Sequence, residues 1–302
     1  MKQFGQLIVI SIMAIIFIPA TITTILGNHE LGSSYTPVTQ KEQGDREQEQ
    51  MREQQLIGII AKAMPISYEA ETLKVQAIMA RSHMSLVEKD VSKTQSIPHM
   101  SMAQMKELWG NDYGKNYSKI KKSVEDTQNM MITYDNQPIQ LVYHLQSAGE
   151  TQSALDIWDT QIPYLKSVES PDDEKAPDFI SKKEYSSQEI IKKINQHYGE
   201  SVLESYGLET QIQIIERTQG GYVKSIQVGN QLMRGDDFRK LLNLRSGNFT
   251  CQYDGDYMSV VTKGVGHGVG LSQYGANEMA KQGKDYREIL THYFPGTSIT
   301  LE

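Results

Sequence analysis

The apolar positions of the chain begin with one long run near the N-terminus. Residues 7–26 are mostly apolar and uncharged, and Lys2 is the only charged side chain before them. A helix of this length crosses the hydrocarbon layer of a membrane. No small-x-small cleavage site follows the run, so the pattern predicts a retained single-pass anchor over residues 1–28. The position of Lys2 orients the rest of the chain outside the cytoplasm.

The pattern then becomes polar and later apolar again. Residues 29–52 offer few apolar side chains to bury, which predicts a flexible polar linker. A short apolar run at 56–60 follows the linker. We therefore expect the folded domain to occupy residues 53–302.

Helical spacing is clearest over residues 69–87. Apolar residues recur there every three or four positions, without Pro or Gly, as in an amphipathic helix. The same reasoning, with capping residues, predicts further helices at 102–108, 118–127, 186–198, 235–244 and 285–293.

Alternating positions and turn residues predict the strands. Segments 131–134 and 138–144 flank Asp135-Asn136, segments 211–216 and 222–228 flank Gly220-Gly221, and 249–261 is expected to return to strand before the glycine-rich segment. Segment 169–183 is expected to be a loop, and 100–185 is the candidate for a subdomain insertion. Because strands and helices are interspersed without a regular βαβ repeat, the predicted fold class is α+β.

Composition narrows the classes of function. The chain has 302 residues, a formal net charge of −7 and one cysteine, Cys251. The negative charge and the absence of a basic stripe argue against nucleic acid as a partner. A single cysteine excludes an intrachain disulfide framework and a thiolate metal cluster.

The densest candidate motif is Gly264-Val-Gly-His-Gly-Val-Gly-Leu-Ser-Gln-Tyr-Gly275, in which five glycines surround His267. Glycines at alternate positions predict a loop that packs closely around another group. The residues alone also allow a tight strand connection with an exposed histidine.

Motifs of several enzyme classes are absent. There is no His-Glu-x-x-His, and a metal site would have to combine distant residues such as His144 and His267, so no metal or cofactor is predicted. Gly-x-Ser-x-Gly and the Lys-Ser/Thr ending of a phosphate loop are also absent. Cleavage of a sugar polymer needs a carboxyl as the acid, and lytic cleavage needs only one because the substrate's own hydroxyl replaces water.

Three separated segments resemble the signatures of the stage II sporulation protein D family. They are Gly58-Ile-Ile-Ala-Lys-Ala-Met-Pro65 with Ser67-Tyr-Glu-Ala-Glu-Thr-Leu-Lys-Val-Gln-Ala77 and Arg81, then Tyr143-His-Leu-Gln-Ser-Ala-Gly149 with Trp158 and residues 162–171, and finally the 264–275 segment. The resemblance runs from about residue 54 to the C-terminus. It implies a mixed sheet and helices that form a glycan-binding cleft.

The resemblance also implies an activity and a setting. Family members are lytic transglycosylases that cleave peptidoglycan between N-acetylmuramic acid and N-acetylglucosamine, forming a 1,6-anhydro end, on glycan strands already stripped of stem peptides. They act while the mother cell engulfs the forespore, together with the stage II sporulation proteins P and M. The implied location is the mother-cell membrane, with the domain facing the forespore.

The chain departs from the family at the most consequential position. Relatives read Ala-x-Glu-Met-Pro in the first signature, and that glutamate is their proposed general acid/base; here the position is Ala63. A methyl group can neither donate nor accept a proton, so we expect the chain to be inactive or severely impaired. Three explanations are open: a deliberate Glu→Ala change, a natural non-catalytic member that binds glycan or enhances an amidase, and rescue by Glu69 or Glu71.

Six other residues are implied to bind substrate. Arg81 is expected to face the cleft and orient a polar group, and His267 to contact sugar or hold the acid of relatives. The remaining four are His144, Ser147, Gln273 and Tyr274. Zinc binding near His144, which some clostridial relatives achieve with cysteines, is not expected because this chain has no cysteine there.

Overall fold

The structure is a computed structural model that describes residues 40–89, 97–199, 202–204 and 207–301. The membrane segment predicted over residues 1–28 lies outside these ranges, as does the part of the predicted linker before residue 40. Within the described ranges, no helix has both the length and the apolar character that crossing a membrane requires.

Helices and strands are interspersed along the chain, which confirms the α+β class. The helices are α1 (Gln40–Ala63), α2 (Ala70–Lys89), α3 (Met102–Trp109), α4 (Tyr113–Glu125), α5 (Ala154–Trp158), α6 (Ser187–Tyr198), α7 (Leu208–Gln211), α8 (Gly235–Leu242), α9 (Gln273–Lys281) and α10 (Tyr286–Tyr293). The strands are β1 (Met130–Tyr134), β2 (Gln137–Pro138), β3 (Tyr143–His144), β4 (Ile180–Ser186), β5 (Ile212–Arg217), β6 (Val223–Val228), β7 (Gln231–Arg234), β8 (Asn248–Asp254), β9 (Tyr257–Lys263), β10 (Leu271–Ser272) and β11 (Ser298–Leu301).

Helix α1 corrects the predicted linker. It begins at Gln40, whereas the polar composition predicts a flexible segment through residue 52. The segment has no proline and is rich in Glu, Gln, Lys and Arg, which are good helix formers. Near its end Leu56, Ile59 and Ile60 are buried in the core.

Helix α2 confirms the amphipathic pattern. Its predicted apolar face is buried, and Leu73 and Ala77 are fully inaccessible to solvent. Burying a leucine side chain stabilises a fold by about 2 kcal/mol. The backbone N–H of Glu69, just before α2, donates a hydrogen bond of 2.8 Å to Asn277 Oδ1 of α9. The start of α2 is thereby attached to the C-terminal part of the chain.

The other predicted helices are confirmed as α3, α4, α6, α8 and α10, with ends that differ by a few residues. Ser186 and Asp285 begin α6 and α10 with reciprocal capping boxes.

The strands before residue 150 differ from the prediction in one respect. Strands β1 and β2 form the expected hairpin around Asp135 and Asn136, and β11 pairs with the other edge of β1. Segment 138–144 is not one strand, however. It breaks after β2, and β3 instead pairs in parallel with the distant β10.

A second hydrophobic core lies in residues 185–260. It is enclosed by sheets β4-β9-β8 and β5-β6-β7 and by helices α6 and α8. The buried apolar side chains of 100–165 belong instead to the core that also contains the end of α1. The candidate insertion at 100–185 therefore has no separate core there. The expected strand 249–261 is the hairpin β8–β9, and part of the expected loop 169–183 is strand β4.

Candidate functional site

Residue 63 lies at a contact between two of the segments that the sequence singles out. Helix α1 ends at Ala63, and helix α9 begins at Gln273. The Gln273 side-chain amide donates a hydrogen bond of 3.0 Å to the Ala63 carbonyl, which has no partner within its own helix. Gln273 is only 2% exposed, so water competes little for this bond.

The glycine loop 264–270 packs against the segment that contains His144, as its glycine spacing predicts. Its glycines at 264, 266, 268 and 270 all have positive φ angles. A Cβ atom at Gly266 would lie 2.6 Å from His144 Cβ, and one at Gly268 would lie 2.5 Å from the ring of Tyr222. Only glycine fits at these two positions, because both the backbone conformation and the space exclude a side chain.

His267 of this loop lies close to His144. The ring centroids of His144 and His267 are 5.8 Å apart. Nδ1 of His267 accepts a hydrogen bond of 3.0 Å from the Val269 N–H, so its ring carries the proton on Nε2. Nδ1 of His144 donates to the Val269 carbonyl at 3.1 Å, which leaves its buried Nε2 as an acceptor without a partner.

Burial sets the charge of both rings. Burial and the neighbouring His267 lower the pKa of His144 to about 3. Burial is also the main cause that lowers the pKa of His267 to about 4. Both imidazoles are therefore neutral at pH 7 and act as hydrogen-bonding groups rather than as cations.

Trp158 adds an aromatic surface to the histidine pair. It lies at the end of α5, and its ring centroid is 5.1 Å from that of His267. Trp158 is half-buried, so part of the indole faces solvent. The sequence places this residue in the signature that begins at Tyr143, but its side chain was not among the predicted site residues.

A buried carboxylate that the sequence did not single out connects two of the segments. Asp173 is fully buried, and its Oδ2 accepts hydrogen bonds from the Ser147 hydroxyl at 2.5 Å and the Ser147 N–H at 3.0 Å. Its Oδ1 accepts a bond of 2.8 Å from the hydroxyl of Ser272, the residue before Gln273. Burial raises the pKa of Asp173, and these hydrogen bonds oppose that rise. Both the hydroxyl and the N–H of Ser147 thus donate hydrogen bonds to Asp173.

Two tyrosines lie near the Ala63–Gln273 contact. Tyr274 follows Gln273, is half-buried, and its N–H donates a bond of 3.0 Å to the Leu145 carbonyl. Tyr68 belongs to the first signature, and burial together with nearby negative charge, including Asp173 and Glu278, raises its pKa to about 12. Both phenols are protonated at neutral pH and can donate hydrogen bonds.

Arg81 lies elsewhere, contrary to its expected position in the cleft. It is 5% exposed and donates hydrogen bonds to the carbonyls of Thr127, Met130 and Val124, at 2.7, 3.0 and 3.4 Å. These carbonyls lie at and beyond the C-terminal end of α4. Twelve residues of helix separate Arg81 from Glu69, a rise of about 18 Å. Arg81 therefore anchors the end of α4.

The two carboxylates proposed as substitutes for the missing acid differ in their surroundings. Glu71 is held between elements, since its carboxylate pairs with Lys74 at 2.7 Å and accepts a bond of 3.0 Å from the Tyr286 N–H. This occupation disfavours Glu71 as a substitute acid. Glu69 is exposed, and its backbone rather than its carboxylate contacts Asn277.

The described residues contain no group of three His, Cys, Asp or Glu side chains that could hold a metal ion. The site combines the neutral imidazoles of His144 and His267, the amide of Gln273, two phenols and the Trp158 indole. Such groups bind hydroxyl and amide groups and stack on sugar rings. None of these groups is a carboxylic acid at residue 63, which is alanine.

Comparisons with known proteins agree with the three signatures. A family model for the stage II sporulation protein matches residues 42–134. Stage II sporulation protein D of Bacillus amyloliquefaciens is 37% identical over 262 residues, which cover 82% of this chain and 74% of that protein. The protein of the same name from Bacillus subtilis strain 168 is 36% identical over 260 residues, with the same two coverages.

A more distant relative has another name. The amidase enhancer of Bacillus subtilis strain 168 is 24% identical over 296 residues, which cover 81% of this chain and 40% of that protein. The first two similarities extend over most of both partners. On this evidence the chain belongs to the stage II sporulation protein D family.

Proposed function

We propose that this protein binds peptidoglycan glycan strands and takes part in remodelling the cell wall during endospore formation, when the forespore is engulfed. Its site descends from a lytic transglycosylase that cleaves the bond between N-acetylmuramic acid and N-acetylglucosamine. Because Ala63 stands in place of the acid, this protein cleaves glycan at only a small fraction of the rate of a variant with glutamate at residue 63.

The contact between Ala63 and Gln273 carries this proposal. It unites the first signature with the glycine-rich signature, and it holds the backbone of residue 63 next to Tyr274, an amphipathic ring suited to a sugar. The surroundings of residue 63 therefore suit a glycan-cleaving site. The side chain at this position, however, is a methyl group, which cannot transfer a proton.

The proposed setting follows the family. The partners are glycan strands stripped of stem peptides and the stage II sporulation proteins P and M. The proposed location is the mother-cell membrane, with an N-terminal anchor and the folded domain facing the forespore.

A second candidate function is that of a non-catalytic glycan-binding scaffold that enhances an amidase. Two observations favour it: the absence of the acid at Ala63, and the 24% identity to an amidase enhancer. A scaffold needs the binding surface of the site but not a proton donor.

The test compares the full-length protein with its Ala63→Glu variant on peptidoglycan strands stripped of stem peptides. Both proteins are expected to bind the strands. The variant is expected to release 1,6-anhydro products about a hundred- to ten-thousand-fold faster, the usual contribution of general acid/base catalysis. Ala63→Gln, which has the shape of glutamate but no acid, serves as the control and is expected to stay slow.

The outcomes separate the two functions. Equal product release by the original chain and by Ala63→Glu contradicts the catalytic ancestry of the site. Failure of all three proteins to bind glycan contradicts the proposed function as a whole. Stimulation of a purified amidase by the original chain, unchanged in Ala63→Glu, supports the scaffold.

A further inference from the structure

A cavity of about 730 Å³ opens beside segment 148–150, which follows Ser147. Sites for small molecules occupy roughly 300–1,000 Å³, so the cavity is large enough for a short peptide or a sugar unit. Its lining consists mostly of charged, amide and glycine residues, with Ala148 and Pro171, and includes no Trp, Tyr or Phe. None of the site residues described above lines it. We call it the charged cavity.

Three carboxylates lie on one side of the charged cavity. Glu150 and Glu169 are opposite each other in an antiparallel backbone bridge. Glu150 accepts a hydrogen bond of 2.5 Å from Ser167 through Oε1, which leaves Oε2 for another donor. Glu174 extends over Gly149, where an added Cβ would lie 2.7 Å from its Oε1.

Two cations come from other elements. Arg217 of β5 is fixed by hydrogen bonds of 2.8 Å from Nη1 to the Gly221 carbonyl and from Nη2 to the Phe249 carbonyl. These neutral acceptors hold the guanidinium in place without cancelling its charge. Lys263 ends β9, is exposed, and has no ion-pair partner among the described residues.

The opposite charges of the charged cavity do not pair with one another. Among the described residues, no salt bridge joins its three glutamates to Arg217 or Lys263, although the adjacent Lys175 pairs with Asp172 at 2.5 Å. Charges of both signs are thus available to a ligand, and complementarity favours a ligand that itself carries both signs. The lack of aromatic rings disfavours the face of a sugar as the occupant.

The charged cavity adjoins the candidate site through two short connections. Asp173 contacts Ser147 and Ser272, whereas the next residue, Glu174, lines the cavity. Lys263 likewise lines the cavity, and the glycine loop begins at the following residue. A ligand in the cavity therefore lies next to the residues that position Gln273.

We propose that the charged cavity binds a stem peptide of peptidoglycan, with its carboxylates toward Arg217 and Lys263 and its ammonium group toward the three glutamates. The inference rests on the proposed function, because it takes peptidoglycan as the ligand. A glycan stretch stripped of peptides occupies the site, while a peptide on the adjoining stretch occupies the cavity. The protein then recognises the boundary between stripped and unstripped wall.

The test measures the affinity of the full-length protein for two ligands: fully stripped glycan strands, and strands from which only part of the stem peptides has been removed. Exposed ion pairs each contribute modestly, so we expect the partly stripped strands to bind roughly three- to tenfold more tightly. Lys263→Glu and, separately, Glu174→Gln are expected to remove this gain without changing the affinity for fully stripped strands. Lys284→Glu, which alters an exposed lysine outside the cavity, is the matched control and is expected to keep the gain.

Each contrary outcome has its own meaning. Equal affinity of the original chain for both strands overturns the inference and leaves the proposed function intact. A gain that survives both cavity variants overturns the assignment to this cavity. Equal affinity for the two strands, combined with loss of binding to a purified amidase in Lys263→Glu, assigns the cavity to a protein segment instead. Failure to bind either strand overturns the inference together with the proposed function.

Discussion

The side chain of Gln273 donates a hydrogen bond of 3.0 Å to the backbone carbonyl of Ala63, 210 residues earlier in the chain. The start of α9 thereby fixes the end of α1. The bond holds the backbone of residue 63 and does not involve its side chain. A glutamate at residue 63 would therefore be held by the same bond. Catalytic groups lose much of their effect when displaced by about 1 Å, so this bond matters to any activity restored at residue 63.

Gln273→Leu is expected to lower the rate of product release of the Ala63→Glu protein by about tenfold or more, because the carbonyl of residue 63 loses its fixed donor. Anhydro-product release and urea unfolding measure the rate and the stability separately. Gln282→Leu is the control, since Gln282 follows α9 and its side chain bonds Asp172 instead. An equal rate for Gln273→Leu and Gln282→Leu contradicts the positioning role.

Arg81→Ala is expected to lower the free energy of unfolding by about 3 kcal/mol, because it leaves buried carbonyls at the end of α4 without their donor. Glycan affinity of the folded protein is expected to stay unchanged. Urea unfolding and glycan binding test the two statements. Arg287→Ala, which alters an exposed arginine, is expected to cost less than about 1 kcal/mol. If Arg81→Ala lost glycan affinity at unchanged stability, Arg81 would instead have a role in binding glycan.

Asp173→Ala is expected to cost about 3 kcal/mol in the free energy of unfolding, because the Ser147 and Ser272 donors lose a buried acceptor. Asp172→Ala, one residue earlier, is expected to cost less than about 1 kcal/mol, since its partners Lys175 and Gln282 are exposed. Denaturant unfolding of both variants measures the difference. Equal losses would show that Asp173 does not connect the two segments.

Stability is expected to fall as the pH drops from about 6.5 toward 4. The folded protein keeps His267 and His144 neutral, with pKa values of about 4 and 3, whereas the unfolded chain takes up protons near the ordinary value of 6.5. The unfolded state binds more protons in this window, so each histidine contributes a slope of about 1.4 kcal/mol per pH unit. Above pH 6.5 the two histidines are neutral in both states, so this loss of stability is absent.

Urea unfolding at pH 7, 6 and 5 measures this slope. His267→Asn is expected to remove about half of the contribution of the two histidines. The prediction fails if the variant and the original chain lose stability equally between pH 7 and pH 5.

The elements predicted most accurately are those whose signal is local. The apolar spacing of α2, the capping residues Ser186 and Asp285, and the turn at Asp135-Asn136 are each read from a few neighbouring residues. The prediction failed at residues 40–52, where polarity suggested a linker although helix propensity was high. It also failed at 138–144, because β3 pairs with β10, a partner that no local pattern identifies.

Some contacts between the candidate site residues were predicted, whereas others were not. The glycine spacing around His267 and the family signatures identified residues that do meet, such as His144 with His267 and Ala63 with Gln273. Asp173 was missed because its segment reads as a polar surface loop, and burial of a carboxylate becomes visible only in three dimensions. Pro171, at the first position of a 3-10 helix over Pro171–Lys175, was the available signal that this segment is ordered.

The parallel pairing of β3 with β10 has a consequence for how the chain matures. Leu271 pairs with Tyr143 and Ser272 with His144, so the junction joins stretches made far apart in time during synthesis. Closure of such long loops is slow. Until α9 has been synthesised, the Ala63 carbonyl at the end of α1 has no hydrogen bond from Gln273. A chain truncated before Gln273 therefore lacks the donor that holds the backbone of residue 63, whichever residue occupies that position.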